Sequence, residues 1–229
     1  MDGFRRYAIY YAPRDGAFAE AVASWLGWDP ERACPVAHPR LTGLPASVAD
    51  LTAEPRKYGF HGTIKAPFRL ADGVGRGELE AEVTALAMRL RPVVMPGLRL
   101  AALKGFVALL PDGEEADLLE LGAEVVTRLD HLRAPLTEAE VAKRRPDRLS
   151  ARQRNLLDCW GYPYVMEEFR FHLTLTGNLA PKAVSQVLPL LERWLAPVLP
   201  RPFVIEDLCL FGEDAAGRFH LVSRHALTG

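Results

Sequence analysis

The chain has little of what marks several common classes of protein. Its 229 residues include three cysteines, Cys34, Cys159 and Cys209, which lie far apart and form no Cys-x-x-Cys pair. This pattern argues against a disulfide framework and a zinc ribbon and predicts reduced cysteines. No apolar run reaches the roughly 18 residues of a membrane span, and no apolar segment typical of a signal peptide opens the sequence. We therefore expect a cytoplasmic protein that does not contact membranes.

An excess of charge of one sign is also missing. The chain has 28 Lys and Arg against 29 Asp and Glu, which gives a net charge of −1. A dedicated duplex-DNA-binding protein is usually basic, so DNA is not an expected partner, although a local basic groove remains compatible with this balance. With 49% hydrophobic and 25% charged residues, the composition is that of an ordinary globular protein.

The hydrophobic patterning alternates between strands and helices. Segments rich in aromatic and β-branched residues, at 7–12, 60–68 and 169–176, predict strands, and 98–110 predicts a hairpin with its turn at Lys104 and Gly105. Apolar residues at helical spacing predict helices near 79–90, 118–132 and 184–195. Capping boxes at Thr137 and Ser150 predict the starts of two more helices. The fold class is therefore α+β.

The two halves of the chain resemble each other in sequence. Residues 58–66 align with residues 169–177, so that His61 lies over His172. A repeat this long indicates a duplicated unit rather than a solenoid. We predict a single domain, residues 1–229, with a first lobe at about 1–112, a helical insert at about 113–167 and a second lobe at about 168–229.

The repeated strands carry polar side chains on one face. Because successive side chains of a strand point to opposite faces, one face of the first strand carries Lys57, His61, Thr63 and Lys65. The corresponding face of the second strand carries Arg170, His172, Thr174 and Thr176. A plain solvent-exposed strand would show Thr and Lys without a recurring histidine, so this row is a candidate site.

The chemistry of this row suits a phosphate ester. Hydroxyl groups and cations donate hydrogen bonds to anionic oxygens, and the charge-assisted bonds are the strongest. Imidazole acts as an acid or a base near neutral pH, so one histidine of each strand could divide the two proton transfers of a phosphodiester cleavage. No Asp or Glu stands next to either histidine, as a zinc or dinuclear hydrolase would want. The hypothesis therefore needs no metal and no cofactor.

Two tyrosines of the first strand are further candidates. Tyr7 and Tyr11 share one face of that strand and could stack on a base or a sugar, although tyrosine is also common in strands for packing reasons alone.

Three segments carry a resemblance to a known family. Residues 56–68, 160–164 and 169–177 contain both His-x-Thr motifs and a Trp-Gly-Tyr-Pro-Tyr stretch. Together they resemble the two-histidine (2H) phosphoesterase superfamily, and within it an uncharacterised bacterial branch named for phosphonate metabolism because its genes lie near those of carbon–phosphorus lyase. The resemblance covers nearly the whole chain. Its long helical insert sets this chain apart from the compact members of the superfamily.

The resemblance implies a duplicated fold in which two antiparallel sheets, flanked by helices, surround a central cleft. It also implies that His61 and His172 form the acid–base pair, and that Thr63 and Thr174 bind phosphate. Lys65, Arg170, Tyr7 and Tyr11 are the further candidate substrate-binding residues.

Three functions follow as hypotheses. The first is a metal-independent phosphodiesterase that opens a cyclic phosphodiester of a small ribose or phosphoribosyl metabolite, in keeping with phosphonate utilisation. The second processes or ligates RNA ends that carry a 2′,3′-cyclic phosphate and would need a basic, aromatic track. The third is a non-catalytic sensor that binds a phosphorylated metabolite in the same cleft. The sequence indicates neither the true substrate nor the oligomeric state.

Overall fold

The structure is a computed structural model that describes residues 3–229, so the first two residues of the predicted first lobe lie outside it. The strands are, in order, β1 (Arg6–Tyr11), β2 (Trp28–Asp29), β3 (Cys34–Pro35), β4 (Gly62–Phe68), β5 (Val93–Met95), β6 (Leu98–Leu103), β7 (Phe106–Pro111), β8 (Leu173–Thr174), β9 (Phe203–Ile205), β10 (Asp207–Glu213) and β11 (Phe219–Ala226). The helices are α1 (Ala17–Leu26), α2 (Val48–Leu51), α3 (Ala53–Arg56), α4 (Arg76–Ala87), α5 (Ala116–Arg128), α6 (Glu138–Lys143), α7 (Ala151–Trp160) and α8 (Pro181–Leu195). The expected α+β class is confirmed.

A seven-stranded sheet forms the centre of the fold. Its strand order is β11-β10-β1-β4-β8-β7-β6, and every neighbouring pair in it is antiparallel. The two strands that carry the histidine motifs, β4 and β8, are direct neighbours at its middle, where Gly62 pairs with Leu173. Two small sheets, β2-β3 and β5-β9, complete the strand structure.

The order of the strands differs from the predicted division into lobes. By the predicted bounds, the β6–β7 hairpin falls in the first lobe with β1 and β4, and the β10–β11 hairpin falls in the second lobe with β8. In the sheet these hairpins are exchanged: β10 pairs with β1, and β7 pairs with β8. The physical reason is that a hairpin satisfies its own inner ladder and uses its outer edge to extend whichever strand it packs against, so chain order does not fix the neighbour.

One face of the sheet holds the main core. Buried side chains of β1, β4 and β8, among them Ile9, Ile64 and Leu173, pack with apolar residues of α1, α4, α5 and α8. The apolar residues of these helices recur at helical spacing. In α8, for example, Val187, Leu191 and Leu195 are fully buried. The opposite face, which carries the histidines, keeps a smaller apolar cluster that includes Tyr10, Phe211 and Phe219, beside an open region.

Two helices of the insert begin where the sequence predicts. Thr137 and Ser150 each accept a hydrogen bond from a backbone N–H three residues on and receive the reciprocal side chain, so both capping boxes are confirmed. Gly161 ends α7 in the left-handed conformation, with φ of 71°. No helix within residues 3–229 is long and apolar enough to cross a bilayer.

Candidate active site

The two His-x-Thr motifs meet across the centre of the sheet. Because Gly62 pairs with Leu173 in an antiparallel ladder, the register sets His61 opposite Thr174 and Thr63 opposite His172. Gly62 and Leu173 face the main core, so the four polar side chains share the other face. Each histidine thus has the threonine of the other motif as its cross-strand neighbour.

Both histidines are held in the same way. The Nδ1 atom of His61 lies 2.9 Å from the carbonyl oxygen of Gly59, and that of His172 lies 2.8 Å from the carbonyl oxygen of Arg170. A carbonyl only accepts, so Nδ1 carries the proton and donates it in both rings. In the neutral imidazole the Nε2 atom is therefore left with a lone pair, available to a reacting group.

His61 lies in an aromatic setting. The ring of Tyr10 stacks on it at 4.1 Å between centroids, and the ring of Tyr58 is tilted against it at 5.5 Å. Burial among these rings lowers the pKa of His61 to about 4; the hydrogen bond to Gly59 opposes this shift, and the charge of nearby His172 adds to it. His61 is consequently neutral at pH 7, with Nε2 able to accept a proton.

An open cleft of about 350 Å³ lies beside His61 and Thr174. Its lining combines a cation, a carboxylate, an amide and two aromatic rings with the motif residues. The lining residues are Glu54, Pro55, Lys57, Tyr58, His61, Phe106, Thr174, Thr176, Gly177 and Asn178. The size and the mixed lining suit a small polar molecule with a sugar or base that an aromatic ring contacts.

The threonine hydroxyls differ in what they already contact. Thr63 and Thr174 are partly buried, and within residues 3–229 their hydroxyls meet no hydrogen-bond partner, so both are available to a ligand. Thr176 is instead occupied, since its hydroxyl accepts from the backbone N–H of Val107 at 2.9 Å and donates to the carbonyl of Gly177. Phe106 lies against His172, with 5.7 Å between centroids.

Two expected cations have other contacts. Lys65 is buried, and its ammonium donates to the carbonyl of Val126 and to Asp130, both at 3.2 Å. Arg170 is exposed, and its guanidinium donates to carbonyls of its own loop, those of Glu167 and Phe169. The structure therefore does not bring either cation to the histidines, because the insert covers Lys65 and local carbonyls hold Arg170.

The expected tyrosines point away from the site. Tyr7 and Tyr11 lie in the main core, 3% and 7% exposed. Strand alternation gives the reason: Tyr10, the residue between Ile9 and Tyr11, faces the histidines, and its odd-numbered neighbours on β1 face the core.

Sequence reasoning left out several residues that line the site. They are Tyr10, Tyr58 and Phe106. Tyr58 and Lys57 stand within the first motif segment, where the Lys57 ammonium lies 5.0 Å from the centre of the Tyr58 ring. Tyr10 pairs with Thr63 across β1 and β4, a signal that appears only once the pairing register is known.

The fold and the site together define an α+β protein with a paired histidine–threonine row on adjacent antiparallel strands. The chain belongs to the family described as Protein of unknown function (DUF1045), whose model matches residues 63–220. That range contains Thr63 and the whole second motif.

Two curated relatives carry the same name. A protein of Janthinobacterium sp. (strain Marseille) called Ribose 1,5-bisphosphate phosphokinase PhnN is 38% identical over 222 residues, which cover 94% of this chain and 49% of the relative. The protein of that name from Laribacter hongkongensis (strain HLHK9) is 38% identical over 215 residues, 93% of this chain and 49% of the relative. The chain therefore spans about half the length of the curated relatives it matches.

Solved structures of phosphoesterases are similar at a low level. E. coli LigT complexed with 3′-AMP matches with a TM-score of 0.44 at 15% identity, covering 98% of each chain. A structure described as that of a phosphoesterase matches with a TM-score of 0.41 at 15% identity, covering 98% of this chain and 99% of the other. Likeness at this level supports no statement about the chemistry of this chain.

Proposed function

We propose that the chain is a phosphodiesterase that opens a cyclic phosphodiester of a small ribose or phosphoribosyl metabolite, with His61 and His172 as its acid–base pair. The observation that carries the proposal is the matched pair of histidines, each anchored through Nδ1 to the carbonyl two residues before it and each opposite a threonine of the other motif. A histidine kept for packing alone would not need this arrangement twice on one face.

The residues divide the steps of a ring-opening hydrolysis. Water attacks the phosphorus atom, and Nε2 of neutral His61 accepts a proton from that water. His172, protonated at Nε2, gives a proton to the ribose oxygen as its bond to phosphorus breaks. The hydroxyls of Thr63 and Thr174 donate to the non-bridging oxygens, where negative charge increases. The products are a phosphomonoester and a free ribose hydroxyl, with one water consumed.

The substrate class is supported by the cleft and by the relatives. A volume of about 350 Å³ suits a nucleotide-sized or smaller molecule, and Lys57 on the rim suits an anionic one. The names of the curated relatives concern a phosphorylated ribose. The chain has no Gly-x₄-Gly-Lys-Ser/Thr phosphate loop, so we do not assign to it the phosphokinase reaction in those names.

The test is a panel of cyclic phosphates followed by phosphorus NMR in excess chelator. It includes 2′,3′-cyclic nucleotides, ribose 1,2-cyclic phosphate and a short RNA with a cyclic end. We expect the small compounds to be opened, and His61→Ala and His172→Ala each to slow the reaction by about 10²–10⁴-fold. His220→Ala serves as the control, because His220 pairs with Asp214 outside the cleft.

Other outcomes separate the alternatives. Preference for the RNA would favour end processing as the function. Turnover only after a divalent metal is added would overturn the mechanism. Tight binding of a phosphorylated compound without turnover, unchanged in His61→Ala, would favour a sensor.

A further inference from the structure

The insert reaches the edge of the histidine row. Lys65 lies two residues beyond Thr63 on β4, past a shift in the register with β1, and its ammonium contacts the carbonyl of Val126 in α5. Val126 belongs to a buried cluster against which Tyr162 packs, and Lys65 and Tyr162 line one small cavity. Besides burial, the phenol groups of Tyr58 and Tyr162 raise the pKa of Tyr10, which stacks on His61. Tyr162 therefore lies on the insert side of Lys65 and near Tyr10, the ring that stacks on His61.

Arg144 is held over Tyr162. The central carbon of its guanidinium lies 4.8 Å from the centre of the Tyr162 ring, and Arg144 is partly buried at the end of α6. Across residues 3–229, no carboxylate lies within ion-pair distance of it. Stacking on an aromatic ring fixes the guanidinium plane and leaves its edge N–H groups free, the geometry that binds phosphate in a bidentate manner.

The segment from Lys143 to Arg154 carries an excess of positive charge, and Glu140, on the preceding helix α6, is paired with Arg69. In residues 143–154 a single acidic residue, Asp147, stands among six cations. Three of those cations are exposed neighbours of Arg144: Lys143, Arg145 and Arg148. A cation with no carboxylate partner in such a field attracts an anion.

We infer that Arg144 binds a second anionic group of the substrate, a phosphate, while the histidine row holds the cyclic phosphodiester. This inference rests on the proposed function and narrows its substrate class to cyclic phosphates that carry an additional phosphate. It gives the insert a role in specificity: Tyr162 positions the guanidinium, and Arg144 selects the doubly phosphorylated compound.

The test compares substrates that differ by one phosphate. Adenosine 2′,3′-cyclic phosphate and ribose 1,2-cyclic phosphate are each assayed with and without a 5-position phosphate. We expect kcat/KM to be roughly 10-fold or more higher for the phosphorylated member of at least one pair, as charge-assisted contacts give. Arg144→Gln should abolish this preference by lowering kcat/KM for the phosphorylated member to about the value of the other member. Lys143→Gln removes the same charge from an exposed neighbour and should keep the preference.

The outcomes distinguish the inference from the function on which it rests. Equal turnover within both pairs, or an equal loss for both members in Arg144→Gln, overturns the inference and leaves the phosphodiesterase standing. If no cyclic phosphate is opened, the proposed function fails, and calorimetry with adenosine 3′-monophosphate and adenosine 3′,5′-bisphosphate decides about Arg144. Tighter binding of the bisphosphate that Arg144→Gln removes supports the second phosphate site, and equal binding overturns it.

Discussion

Gly62, the middle residue of the first motif, offers the sharpest test of how the site is held together. A Cβ atom at this position would overlap the ring of Phe171, which is 2% exposed and has no room to turn away. Gly62→Ala keeps an ordinary backbone conformation, so the substitution acts through overpacking and should lower the free energy of unfolding by about 1–3 kcal/mol. For a chain of this size that corresponds to a fall in Tm of roughly 2–12 °C.

The same substitution should also reduce activity. To make room for the added methyl group, β4 must move relative to β8, and the two histidines move with these strands. A displacement of about 1 Å in reacting groups costs about 10²-fold in rate. Differential scanning calorimetry and the cyclic phosphate assay measure the two effects.

A matched glycine substitution provides the control. Gly77 lies in α4, and a Cβ there meets open space, so Gly77→Ala should raise stability by up to about 1 kcal/mol and leave activity unchanged. Adding Phe171→Leu to Gly62→Ala should recover part of the lost activity, since the two sites are in contact. An unchanged Tm and rate in Gly62→Ala would refute the reasoning that close packing of Gly62 on Phe171 sets the spacing of the motifs.

Three more predictions concern groups around the site. Tyr10→Leu removes the ring that stacks on His61, so kcat should fall about 3- to 10-fold. The acidic limb of the pH profile of kcat should also move to higher pH, because His61 becomes less buried. Tyr10→Phe keeps the ring and should change neither kcat nor the pH profile. Burial lowers the pKa of His61 in the folded state to about 4 from its ordinary 6.5. The free energy of unfolding therefore receives the full contribution of neutral His61 above pH 6.5 and loses it as the pH falls toward 4. Urea unfolding of wild type and of His61→Gln should diverge in that window, and parallel curves would contradict this prediction. Asp130→Asn leaves the buried Lys65 ammonium without its carboxylate and should lower the free energy of unfolding by about 3 kcal/mol. Glu124→Gln, which breaks an exposed ion pair with Arg128, should lower it by about 0.5 kcal/mol or less.

Strand alternation explains how much of the site could be predicted from the sequence. With a period of two residues, His61 and Thr63 had to share a face, as had His172 and Thr174, and the structure has both pairs on one side of the sheet. The same rule placed Tyr7 and Tyr11 together but gave no means of deciding which face they occupy. Local patterns also sufficed for the capping boxes and for the hairpin turn at Lys104 and Gly105, because each depends on residues a few positions apart.

Long-range pairing is what the sequence could not supply. The exchange of the two hairpins depends on which exposed edge each one meets, and no local pattern encodes that choice. Lys65 shows the consequence for a site residue. By alternation it belongs with His61 and Thr63, yet the register between β1 and β4 shifts after Thr63 and pairs Lys65 with Ile9. Its buried ammonium is then held under α5 by a carbonyl and a carboxylate.

The contrast between Lys65 and Arg144 shows how the insert could change the specificity of the site. Lys65 is paired with Asp130, whereas Arg144 of the insert has no carboxylate partner among residues 3–229. Lys65 lies on β4, whereas Arg144 follows α6 in the insert, so the cation left for a ligand is not part of the strand that carries Thr63. A substrate matched to that arrangement carries its second negative charge at a distance from the reacting phosphorus atom. Among cyclic phosphates, a 5-phosphorylated ribose ring has this separation of charges, whereas an unphosphorylated nucleoside cyclic phosphate lacks the second charge altogether.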